Sequence, residues 1–67
     1  MIDARGLSCP EPVIRIKKAM ASKEKEYEMM VDNQTALENV TRFAQHNGYE
    51  VEYTREGADY RLRLYQS

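Results

Sequence analysis

The sequence predicts an α+β fold: a two-layer α/β sandwich of order β-α-β-α-β-β, with two helices on one face of a mixed four-stranded sheet. Three observations predict it. Two segments carry an apolar stripe at helical spacing and are polar elsewhere. The last third alternates apolar and polar residues with period two around a glycine-containing turn. Each element has a single apolar face, so helices and sheet must cover one another. The 67 residues fit a single domain spanning 1–67.

The elements follow in order. "MIDA" is short, with Ile2 apolar, and reads as a brief first strand. "GLSCPEP" reads as a turn leading into a helix. From Pro12 to about Ala21, Val13, Ile16 and Met20 fall on one stripe, with Lys17 and Lys18 mostly outside it. "SKEKE" is polar and reads as a loop. "YEMMV" places Tyr27, Met29 and Val31 on one side of a second strand. In "DNQTALENV" a second helix starts, capped either by Asn33 or by Thr35 with Glu38 completing a capping box. Its buried stripe is Ala36, Leu37, Val40, Phe43 and Ala44, and Gly48 after Asn47 stops it.

The closing hairpin puts Tyr49, Val51 and Tyr53 on one face, and Tyr60, Leu62 and Leu64 on the same face of its partner. A two-residue turn at Gly57-Ala58 sets Glu52 across from Arg63, Thr54 from Arg61, Val51 from Leu64 and Tyr53 from Leu62. The first strand–helix–strand unit, crossing over right-handed, makes its strands parallel.

Composition narrows the function classes. Hydrophobic residues at 42% with 31% charged suit a soluble globular protein, not a disordered one. One cysteine forms no internal disulfide, and with one histidine it makes no zinc site, so neither metal nor cofactor is expected. No secretory signal and no apolar run of membrane-span length is visible, which makes a reducing, cytoplasmic setting the expectation. The net charge of −1 is uneven. Residues 1–26 hold six bases and four acids, and residues 27–67 hold four bases and seven acids. Neither half has the basic character of a strong nucleic-acid binder.

The chemistry-bearing stretch is "RGLSCPEP", residues 5–12, with the only cysteine, Cys9, followed by Pro10, Glu11 and Pro12. Proline is tolerated in a helix's first turn, where backbone N–H groups lack intrahelical partners. Because a proline disfavours helical geometry in the residue before it, the helix starts at Pro10 or at Pro12. Either start puts Cys9 at, or just ahead of, a helix N-terminus, with the prolines as a rigid mount. That end favours a thiolate by about 0.3–1 kcal/mol, which lowers a thiol of pKa ~8.5 by less than about one unit. Arg5 would add to this by folding back, and Glu11 would oppose it. His46 lies in the last turn of the second helix and reads as an end-of-helix residue, not a base for Cys9. A cysteine protease or self-sufficient transferase therefore does not fit. An exposed, moderately activated thiol suits a carrier loaded and unloaded by partners. The bland alternative is a small buried hydrophobe. Likewise Arg15, Lys17 and Lys18 are either a solvated helix face or a docking patch for an acidic partner.

"DARGLSCPEPVIRIKKAM", residues 3–20, resembles the signature of the TusA/SirA family of sulfur carriers: a Cys-Pro-x-Pro motif preceded by an Asp and a Gly-Leu pair. The matching residues are Asp3, Gly6, Leu7, Cys9, Pro10 and Pro12. "VDNQTALENVTRFAQHNGYEV" resembles the TusA-like domain of YedF-type proteins, some of which carry a second domain and are linked to selenium metabolism. That second domain is absent, which suggests a stand-alone member or an excised piece. Where the typical carrier has Asp-Asp-Pro, this chain has Asp32, Asn33 and Gln34.

The resemblance implies strand order 1-2-4-3 and a persulfide on Cys9, with Asp3, Arg5, Gly6, Leu7, Pro10, Glu11 and Pro12 in support. It implies a cysteine desulfurase or rhodanese-like sulfur donor and an acceptor sulfur-relay protein, for example in tRNA thiolation or related sulfur or selenium metabolism. The protein would then be a sulfurtransferase-like carrier dependent on partner enzymes. Two other classes stay open: an RNA-binding or regulatory module of similar two-layer fold, and a structural interaction domain.

Overall fold

In a computed structural model of the chain, residues 2–7 and 11–66 are described. The elements are β1 (Ile2–Asp3), α1 (Glu11–Met20), β2 (Glu26–Val31), α2 (Gln34–His46), β3 (Tyr49–Glu56) and β4 (Asp59–Gln66). The expected order is present. The strands form one sheet in the order β1-β2-β4-β3, with β1 parallel to β2 and β4 antiparallel to both of its neighbours.

Both helices cover the same sheet face. Ile16 from α1 and Ala36, Leu37, Val40 and Ala44 from α2 pack in one core with Tyr27, Met29, Val31, Tyr49, Leu62 and Leu64. These strand residues are alternate positions, as a sheet covered on one side requires. The core also takes in Ala4, whose N–H extends the β1–β2 pairing by donating to Met30 O at 2.9 Å.

The hairpin has the expected register: Val51 faces Leu64, Glu52 faces Arg63, Tyr53 faces Leu62 and Thr54 faces Arg61. Its turn needs a residue with positive φ at the first position, and Gly57 supplies it at 64°. On the uncovered face, Arg63 reaches Glu26 at 2.7 Å and Glu52 at 3.1 Å. Arg61 lies 3.7 Å from Glu28 and 2.9 Å from Glu56. These are half-exposed pairs, each worth no more than about 1 kcal/mol. They order the face more than they stabilise it.

Three details refine the sequence reading. α2 is capped by Asn33, whose Oδ1 accepts the Ala36 N–H at 2.7 Å, so the Thr35 alternative falls away. Tyr53 lies on the covered side by parity, yet it is 58% exposed. It sits on β3 at the sheet edge, where it meets Tyr60 edge-on at 5.9 Å. Met30 faces the uncovered side but is buried, between Asp3 and Arg61 in register.

Candidate functional site

The strip ahead of α1 is tied down from three directions. Asp3 accepts from its neighbour but one, Arg5, through the backbone N–H at 3.1 Å, Nε at 3.0 Å and Nη2 at 3.1 Å. Arg5 Nη1 also reaches Asp59 Oδ2, at the start of β4, at 3.4 Å. Gly6 donates its N–H to Asp32 Oδ2 at 2.7 Å, bridging to the β2–α2 junction. Gly6 has φ of 77°, a left-handed conformation that other residues rarely adopt. Leu7 packs partly buried against the core.

These contacts shift the acids. The Arg5 guanidinium, hydrogen-bonded to Asp3, brings that carboxyl down to about 2. Asp32 is also lowered, first by the Gly6 N–H and then by the Asn33 amide. Arg5 itself is held more firmly protonated by Asp3 and Asp59. How Arg5 stands to the thiol lies outside the described residues. Two carboxylates, Asp3 and Asp59, already engage its charge.

On the other side of Cys9, α1 is already helical at Glu11, ahead of the Pro12 start, and the Pro10 alternative lies outside the described residues. Glu11 is exposed, and Pro12 is fully buried. Pro12 is thus a core residue as well as a first-turn residue, which the apolar stripe of Val13, Ile16 and Met20 did not include. Cys9 and Pro10 lie outside the described residues, and with them the expected placement of the thiol. Cys9 is two residues from Leu7 and two from Glu11, so anchored chain flanks it on both sides.

The remaining candidates are distributed simply. Arg15, Lys17 and Lys18 are exposed on α1. His46 is exposed in the last turn of α2, roughly 18 Å along the helix from its Asn33 end. That is the far end from the Asp32–Gly6 bridge, so His46 has no part in this site. Among the described residues, no cluster of His, Cys, Asp and Glu could hold a metal, and no helix is long and apolar enough to cross a membrane.

The residue that sequence reasoning missed is Asp32. Its position just after β2 and just before the cap of α2 marked a junction. Its partner, Gly6, is 26 residues away. Asp32→Asn is expected to weaken this tether. In the wild-type chain, the Gly6 amide resonance should follow an acid titration centred below the ordinary aspartate value of 3.8. A folded-state pKa that is depressed means the tether holds above 3.8 and is lost as pH falls through the lower value. NMR showing no Gly6 response to acid would remove Asp32 from the site.

Comparison with known proteins decides the family. The family described as Sulfurtransferase TusA matches residues 1–65. The chain belongs to the TusA family. It is 42% identical over 57 residues to MJ0990 of Methanocaldococcus jannaschii, named as a candidate sulfur carrier protein, covering 82% of this chain and 76% of that one. It is 35% identical over 60 residues to YrkI of Bacillus subtilis, named in the same way, covering 85% and 80%. A crystal structure of a SirA-like protein from Desulfitobacterium hafniense superposes with a TM-score of 0.84 at 35% identity, covering 96% of this chain and 92% of that one. The TusA-type resemblance and the two-layer α+β fold expected from the sequence are therefore both met.

Proposed function

We propose that this TusA-family chain is a sulfur carrier that accepts sulfane sulfur as a persulfide on Cys9 and passes it to an acceptor protein. The observation that carries the reading is the anchoring on both flanks of the chain's one thiol. Before it stand the Asp3–Arg5 clasp and the Gly6–Asp32 bridge, and after it the buried Pro12. A carrier needs a thiol presented on a fixed mount, with the catalytic groups supplied by partners.

The transfer balances without an oxidant or reductant. The Cys9 thiolate attacks the outer sulfur of the donor's cysteine persulfide. A new S–S bond forms as the donor's S–S bond breaks, and the donor cysteine leaves as a thiolate that takes up a proton. The proton of Cys9 passes to water. The same step in reverse roles delivers the sulfur to the acceptor. A cysteine desulfurase or a rhodanese-like protein is the donor, and the exposed α1 cations Arg15, Lys17 and Lys18 face such partners. The delivered sulfur serves tRNA thiolation or related sulfur or selenium metabolism.

The uncovered sheet face argues against the RNA-binding alternative. RNA-binding sheets stack bases on exposed aromatics. Here that face carries the exposed Glu26, Glu28, Glu50 and Glu52. The test is intact-mass spectrometry after incubation with a purified cysteine desulfurase and cysteine. One added sulfur atom, removed by a thiol reductant, is expected. No adduct with either a desulfurase or a rhodanese-like donor would overturn the reading.

A further inference from the structure

The two edges of the sheet differ in length. β1 occupies one with two residues, and β3 leaves the other open over eight, Tyr49–Glu56. A groove of about 370 Å³ runs between this long edge and α2. Leu37 and Tyr53 give it apolar walls, and its two charges, Glu38 and Arg42, offset one another. Tyr53 is 58% exposed there. On the other side of the same strand stand Glu50, Glu52 and Glu56, all exposed. They share the uncovered face with Glu26 and Glu28 of β2, against which Arg61 and Arg63 are set. Each arginine is already divided between two of these glutamates, and Glu50 belongs to no ion pair among the described residues. Asp59, at the corner, is met by Arg5. The cation of β3, Arg55, is on the helix side, over the Tyr60 ring at 5.8 Å. The uncovered face therefore keeps a negative excess along this edge.

We propose that the β3 edge takes an extended segment of a partner protein as a fifth strand, with Lys or Arg on the glutamate side and an apolar residue beside Tyr53. Glu56 and Asp59 close the two-residue turn as a hydrogen-bonded pair, so such pairs recur at Thr54, Glu52 and Glu50. The N–H and C=O groups of Val51, Tyr53 and Arg55 then point out of the sheet, free to bond an added strand. Opposite charges across from the glutamates and an apolar contact on Tyr53 both favour such a segment. A second copy of the chain fits poorly. Antiparallel self-pairing of β3 that keeps the helices on one side sets Glu50 against Glu52, Glu52 against itself, Glu50 against Glu56, or Glu52 against Glu56, according to register. β3 lies three strand spacings, roughly 14 Å, from β1, which leads into the strip before Cys9. A partner held on β3 leaves that end of the molecule open. The docking does not depend on the sulfur-carrier reading.

The probe is the synthetic peptide acetyl-Thr-Lys-Val-Arg-Val-Lys-Thr-amide, titrated at low salt into the isotope-labelled chain and followed by NMR. Saturable shifts along β3 are expected, with hydrogen exchange slowed about tenfold or more at the Val51, Tyr53 and Arg55 amides. Glu50→Lys and Tyr53→Ser should each weaken binding about fivefold or more. Both positions are exposed, and circular dichroism checks that the variants fold. A peptide with Glu in place of Lys and Arg should bind about tenfold more weakly or worse. Shifts spread over Glu28, Arg61 and Arg63, with no slowing at the three outward amides, would mean charge attraction to the face and would overturn strand addition. The absence of any saturable shift at millimolar peptide would overturn it as well. Concentration-dependent self-association of the wild-type chain, lost in Tyr53→Ser, would give the edge to a second copy and overturn the assignment to a basic partner.

Discussion

Cys9→Ser is expected to abolish sulfur loading completely while leaving the protein folded. Serine keeps nearly the same size, but its hydroxyl is not ionised near neutral pH and oxygen cannot hold the sulfane sulfur in an S–S bond. The chain has no other cysteine to take over. Loss should therefore be absolute, with no residual slow phase. The anchors on either side do not involve the sulfur: the Asp3–Arg5 and Gly6–Asp32 contacts use backbone and carboxylate groups, and Pro12 packs in the core. Thermal unfolding should accordingly stay close to wild type. Mass spectrometry showing a sulfur adduct on the Ser variant would place the carrier function elsewhere or nowhere.

The second large effect concerns the core. Leu62 is fully buried on β4 and stands between Met29 of β2 and Tyr53 of β3 in the ladder. Removing most of a buried leucine side chain costs about 2–5 kcal/mol. A domain of this length has a total stability of roughly 3–10 kcal/mol, on the usual 0.05–0.15 kcal/mol per residue. Leu62→Ala should thus cost much of the stability, and at the upper end it leaves the chain unfolded. Urea denaturation of Leu62→Ala beside Arg63→Ala separates burial from the neighbouring surface ion pairs, each of which should cost no more than about 1 kcal/mol. A Leu62→Ala loss under about 1 kcal/mol would mean that β4 does not organise the core.

The sequence carried the fold because its signals were local and redundant. The hairpin register followed from one turn, Gly57-Ala58, and from the need to keep Val51, Leu62 and Leu64 on one face. A slip by one residue would have opposed apolar to charged side chains. Where the reading stopped, the deciding contact was long-range. The Gly6–Asp32 bridge and the Arg5–Asp59 pair join residues 26 and 54 positions apart. Nothing local to either partner announces them. The exposure of Tyr53 was not legible for a related reason. Alternation assigns a side to each residue, but how far the helices reach over an edge strand depends on the strand order and helix placement. The Cys-Pro-x-Pro motif identified the family from its residue types, while the position of its sulfur lies outside the described residues.

The strand order has a consequence for synthesis. β4 follows the other five elements along the chain, yet it is the strand that joins β2 to β3. Until residues 59–66 have left the ribosome, β2 has only the two-residue β1 beside it and β3 has no neighbour at all. Both helices can be complete by then, with no finished sheet to lie on. The nascent chain must therefore wait, its apolar faces uncovered, and then close in a single late step. A chain released even one strand early is not a smaller version of this protein but an unassembled one.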